Sequence, residues 1–212
     1  MITSYRAREP VSGYTHLGGL FAGCVGALAL LLHARGSDSF VPALAYAASL
    51  FALYAASSAY HLTPGSELLT RRLRKLDHSA IFLYIAGTCT PVFWRAFTGG
   101  TRFWMITAAW TLAAIGIVLR MAWMHAPRAL YTSMYVAMGW LIVVRGGAAF
   151  HALPALPLAL IVAGGITYML GALVYATKRP DPIPSVFGFH EIWHIFVLAG
   201  SSFHFAAIFV LC

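Results

Sequence analysis

Apolar residues in this chain come in long blocks, separated by short polar breaks, with neither strict alternation nor a narrow amphipathic stripe. A helix that crosses a bilayer needs about 20 mostly apolar residues. Seven blocks meet that length: 15–34, 41–62, 77–97, 103–122, 129–146, 153–177 and 189–211. The breaks are Arg35-Gly36-Ser37-Asp38, Thr63-Pro64-Gly65, Thr98-Gly99-Gly100, Ala126-Pro127-Arg128 and Lys178-Arg179-Pro180-Asp181-Pro182. The boundary between the fifth and sixth blocks, near Arg145 and His151, is the weakest. The first block is too long for a signal-peptide core, so it reads as a retained span. The pattern predicts an all-α integral membrane protein. A tail over residues 1–14 precedes one seven-helix bundle over residues 15–212.

Charge orients this bundle. Basic residues collect on the cytoplasmic side of membrane proteins. With seven spans, one side receives Arg6, Arg8, Arg71, Arg72, Arg74, Lys75, Arg120, Arg128, Lys178 and Arg179, and the other only Arg35, Arg95, Arg102 and Arg145. The N-terminus is therefore expected in the cytoplasm and the C-terminus outside, as in a bacterial-type inner membrane. Residues 66–76 carry Leu68, Leu69, Leu73 and Leu76 among four basic residues. This reads either as a short interfacial helix on anionic headgroups or as a solvated basic loop.

Composition agrees with a membrane setting. Of the residues, 60% are hydrophobic and 9% charged, against about 25% charged in ordinary soluble domains. Such a chain cannot cover a water-soluble surface. The net charge of +8 is spread over short inter-block clusters, so no nucleic-acid face is expected. Cys24, Cys89 and Cys212 lie far apart in apolar runs and suggest neither a disulfide framework nor a thiolate metal site.

Ionisable residues inside spans are costly and mark function. His190-Glu191-Ile192-Trp193-His194 opens the seventh block, and histidines at i and i+4 share a helix face. His61 ends the second block, Ser57 precedes it by one turn, and Asp77 opens the third. The predicted topology puts His61, Asp77, His190 and His194 at one depth, near the cytoplasmic face. Three imidazoles with an open fourth position are a catalytic zinc arrangement. His190-Glu191-x-x-His194 also satisfies the H-E-x-x-H protease pattern. A third ligand from a later Asp is missing, so Glu191 reads better as an interfacial or supporting residue.

At these residues the chain resembles a known family. Ser57-Ser58-Ala59-Tyr60-His61, Leu76-Asp77-His78-Ser79-Ala80-Ile81 through Gly87 and Thr90-Pro91, Gly164-Gly165-Ile166-Thr167-Tyr168 to Lys178, and His190 to His194 and on to His204-Phe205 are similar to motifs of the hemolysin III branch of the progestin and adipoQ receptor family. That family sits in a superfamily that includes alkaline ceramidases. Thr15-His16 with Gly18 resembles the branch's first span. The resemblance implies seven helices and zinc held by His61, His190 and His194. It also implies that Asp77 holds a zinc-bound water, with Ser57 nearby. His16, His78 and His204 read as packing or supporting residues, and His33, His125 and His151 as interfacial ones. Tyr60, Tyr84 and Tyr168 are candidate cavity hydroxyls.

The expected activity is zinc-dependent hydrolysis of a lipid amide or ester at the inner leaflet. Asp77 would take a proton from water, and Ser57 would donate a hydrogen bond to the developing oxyanion. The alternatives are a non-enzymatic lipid sensor with a structural zinc, a pore-forming hemolysin and a zinc transporter. A pore calls for a polar stripe along a helix, and a transporter for ligands spaced across the bilayer; the sequence has neither. A membrane lipid is the expected partner, as substrate or ligand.

Overall fold

The computed structural model describes residues 9–184 and 186–212; the tail arginines Arg6 and Arg8 lie outside them. The chain folds into helices α1 (Pro10–His33), α2 (Phe40–Leu62), α3 (Glu67–Ala96), α4 (Gly99–Ala122), α5 (Arg128–Gly139), α6 (Gly146–Ala152), α7 (Ala155–Thr177) and α8 (Phe189–Leu211). A 3₁₀ turn, Leu141–Arg145, joins α5 to α6. Among the described residues the one β feature is an isolated bridge between Ile183 and Phe187. The protein is thus an all-helical integral membrane protein, as the block pattern predicts.

Five helices, α1, α2, α4, α7 and α8, are long and apolar enough to cross a membrane. The other two predicted spans differ from expectation for visible physical reasons. Helix α3 has 30 residues, but its first turns carry Glu67, Arg71, Arg72, Arg74 and Lys75. Residues 67–76 form neither a separate interfacial helix nor a loop. They extend α3, capped by the Ser66 hydroxyl, which accepts from the Leu69 amide at 3.3 Å. The block at 129–146 is broken into α5, the 3₁₀ turn and the start of α6. Gly139, Gly146 and Gly147 fall at these breaks, and each glycine weakens a helix by about 0.5–1 kcal/mol. Pro127 and Pro154 stand just before α5 and α7, where proline's missing N–H does not interrupt the helix ladder.

Helices α1 to α5 pack in sequence, α7 packs on α8, and α1 also packs on α8, which closes the bundle. Helix α3 is the hub, touching α2, α4, α5, α6 and α8. It comes close to α2 at Gly87, where a Cβ would sit 2.0 Å from Ser49 Oγ. Close approach at small residues lets membrane helices gain packing contacts where burial from water contributes nothing. Tyr46, Phe82 and Phe93 fill the interior around this hub. The first turns of α1 and α8, the last turn of α2 and the third turn of α3 meet at one end of the bundle.

Candidate metal centre

Helix α2 delivers His61 in its last turn, fully buried. Helix α8 delivers His190 and His194 from its first two turns. The chosen ligand nitrogens of these three residues all lie within 4.8 Å of one another. The His190 and His194 Nε2 atoms are 3.1 Å apart. Two nitrogens about 2.0–2.1 Å from one tetrahedral zinc stand about 3.3 Å apart, so the pair is already spaced for a shared ion. His61 Nε2 is buried without a hydrogen-bond partner, as expected of a nitrogen that awaits a metal. On the other side of the same ring, Glu9 Oε2 stands 2.6 Å from Nδ1. A carboxylate behind a ligating imidazole fixes its tautomer and orientation. The donor set therefore fits a divalent transition metal. Its three imidazoles are also a common zinc set.

Asp77 is buried in the third turn of α3. It lines the same cavity as Ser57, His190 and His194. Ser57 is tied at 2.8 Å to His16 Nδ1, and the His16 ring lies 3.9 Å, centroid to centroid, from that of His194. His16 is thus part of the centre's wall, with its Nε2 buried and unpartnered. The Thr15-His16 resemblance pointed to this position, but its contact with His194 depends on α1 packing against α8. Glu9 gave no sequence signal, because a single acidic residue before a span is unremarkable.

Glu191 is occupied elsewhere. Its Oε2 accepts from the Gly188 amide at 2.8 Å, capping α8, and its Oε1 accepts from the Ser12 hydroxyl at 3.0 Å. It does not line the cavity. The carboxylate of the H-E-x-x-H pattern therefore pins α8 to α1, while the protease mechanism would need it beside the metal. His78 turns away from the ligands toward Arg120, which it contacts through Nδ1, while its Nε2 is 3.8 Å from Asp77 Oδ2. His204 lies deeper, with Nε2 3.3 Å from the Ile161 carbonyl oxygen. Gly164 makes room for it, since a Cβ there would meet His204 Cδ2 at 2.3 Å. Tyr84 and Tyr168 face each other in the interior, their hydroxyls 3.1 Å apart. His33, His125 and His151 are exposed, and of the three only His125 lines the cavity.

The cavity that starts at Asp77, His190 and His194 has a volume of about 580 Å³ and mainly apolar walls. On α3 it extends from Asp77 to Val92 and Phe93. Fifteen residues (92 − 77) span about 22 Å of helix, most of a hydrocarbon layer of about 30 Å.

The Haemolysin-III related family profile matches residues 4–205. Hemolysin-3 of Bacillus cereus is 32% identical over 210 residues, 98% of this chain and 93% of that protein. The monocyte to macrophage differentiation factor of Homo sapiens is 26% identical over 92% of this chain and 80% of its own. The heptahelical transmembrane protein ADIPOR2 of rice, Oryza sativa subsp. japonica, is 30% identical over 65% of this chain and 66% of its own. With the profile covering nearly the whole length, the chain belongs to the haemolysin-III-related family, the hemolysin III branch of the progestin and adipoQ receptor family.

Proposed function

We propose that this protein is a zinc-dependent hydrolase of a membrane lipid amide or ester. The observation that carries the reading is the juxtaposition of three convergent imidazoles with the polar mouth of a long apolar cavity. A zinc ion held by His61, His190 and His194 supplies an activated water and a Lewis acid for the carbonyl. Asp77 would hold the attacking water through its carboxylate, accept its proton as the new C–O bond forms, and return that proton to the departing amine or alcohol as the C–N or C–O bond breaks. Ser57 donates its hydroxyl to the carbonyl oxygen as negative charge develops there. His16, bonded to Ser57 at 2.8 Å, keeps that hydroxyl aimed. The apolar cavity walls hold the chain and exclude bulk water.

The proposed setting is a seven-span bundle in a bacterial inner membrane, with the N-terminus in the cytoplasm and the metal centre near the cytoplasmic leaflet. The basic asymmetry supports the orientation, and one relative's name, heptahelical, supports the span count. A topology reporter fused after Cys212 is then active only outside the cytoplasm; cytoplasmic activity would reverse the orientation.

A second reading, a lipid sensor with a structural zinc, draws on His16. Its unpartnered Nε2 lies beside His194, and a fourth imidazole would close the site. The two readings separate by turnover. Purified full-length protein in nanodiscs is expected to release fatty acid from at least one class among ceramides, N-acyl lipids and phospholipids, and to stop when zinc is chelated. Zinc-loaded protein that binds these lipids yet releases no fatty acid would favour the sensor.

A further inference from the structure

The zinc reading leaves one strongly charged group unused. Arg120, in the last turn of α4, is buried, with 4% of its surface exposed. Arginine stays protonated in proteins, so a full positive charge lies inside the bundle. The chain's six acidic side chains, Glu9, Asp38, Glu67, Asp77, Asp181 and Glu191, are all described, and none forms an ion pair with it. Its partners are neutral: the Met124 carbonyl accepts from Nη1 at 3.2 Å, the Tyr131 ring lies 4.3 Å beneath the guanidinium carbon, and Nη2 meets His78 Nδ1. Its Nε is buried without a hydrogen-bond partner.

A buried charge is ordinarily paired, and in a membrane protein it faces a functional cavity. Arg120 faces the cavity that holds Asp77 and His194, and Arg74 and His125 line the same mouth. The link to the metal centre is short, since His78 stands between Arg120 and Asp77. The cavity thus has three zones: apolar walls in depth, the imidazoles and Asp77, and a cationic corner beside them. An amphiphile with a negative head matches this order, and a neutral one leaves the guanidinium unpaired.

We propose that Arg120, with Arg74 beside it at the cavity mouth, binds the anionic oxygens of a lipid head, a phosphate or a carboxylate. This names the head of the lipid proposed above and rests on that reading only for the place of the chain in the cavity. A guanidinium offers two parallel N–H donors to either anion.

The test is equilibrium binding to the full-length protein in phosphatidylcholine nanodiscs, corrected for uptake by empty nanodiscs. The probes are dodecyl phosphate and dodecanol, which share a chain and differ in the head. Wild-type protein is expected to bind dodecyl phosphate at least tenfold more tightly than dodecanol. Arg120→Gln is expected to weaken dodecyl phosphate by about 10- to 100-fold, the usual loss for a hydrogen bond to a charged group, and to leave dodecanol unchanged. Arg120→Lys, which keeps the charge without the fork, is expected to fall between. Equal binding of the two probes by wild type overturns the proposal without any variant. A preference that survives in folded Arg120→Gln overturns the assignment to Arg120. Inorganic phosphate at the probe's concentration is expected to leave the probe bound. Displacement by it would put the anion free in solution and overturn the lipid part. Binding is read without turnover, so an inactive protein that keeps the phosphate preference refutes the hydrolase and not the anion site.

Discussion

The cavity has two unlike walls. One is made by α1, α2, α3 and α8, four long helices each packed on two of the others, and it carries His16, Ser57, Asp77, His190 and His194. The other is made partly by α5, the 3₁₀ turn and α6, none longer than 12 residues. It contributes Tyr131, Tyr135, Val136 and Ile142 and no metal ligand among the described residues. The difference teaches how the chain divides its tasks. Groups that must hold position to a fraction of an ångström sit on continuous helices pinned by cross-links such as Ser12–Glu191 and Tyr54–Ser201. Groups that only bound the cavity sit on short, interrupted segments, where helix breaks are tolerated because the backbone is held by neighbouring protein.

Substitutions on the two walls should therefore differ in kind. The largest effect on rate is expected from Asp77→Asn, which keeps the side chain's size and removes the proton acceptor. Turnover in the fatty-acid release assay should fall by about 10²- to 10⁴-fold, with zinc content little changed. A fall matched by an equal loss of metal would make Asp77 a ligand instead. Ser57→Ala should come next, losing one hydrogen bond to a charged oxygen, about 1.5–3 kcal/mol, seen in kcat more than in KM. On the opposite wall, Tyr135 donates to the His78 carbonyl at 3.2 Å. Tyr135→Phe should cost about 0.5–1.5 kcal/mol of stability, read as a lowered Tm in detergent, with zinc content unchanged. An effect on turnover as large as that of Asp77→Asn would erase the distinction between the walls.

The sequence made the histidine-bearing wall more legible than the other. His190 and His194 announced themselves by helical spacing, and His61 and Asp77 joined them through the order of blocks. All four meet at one end of the bundle. His16 and Glu9 contribute through contacts that exist only once α1 has packed on α8 and against the end of α2. No local pattern encodes such a contact. In α3, basic residues mask a long helix from any reading based on hydropathy, because its first turns extend the apolar part without sharing its composition. In the α5–α6 segment the apolar count was sufficient for a span, and the glycines at 139, 146 and 147 were the visible sign of interruption. Glu191 fits two local patterns, and the supporting role expected of it is the one the structure gives. Its place in H-E-x-x-H matched a protease, yet the same residue is the third position after the α8 cap, and capping is the role it takes.

Whether His61, His190 and His194 hold zinc decides the function. The direct measurement is zinc content per chain of purified full-length protein by elemental analysis, alongside His61→Ala and His194→Ala prepared identically and shown to be folded. Wild type should carry about one zinc per chain, and both variants should be largely zinc-free. Full occupancy in folded His194→Ala, or a wild-type protein that takes up no zinc when zinc is supplied, would contradict the assignment of His61, His190 and His194 as its ligands.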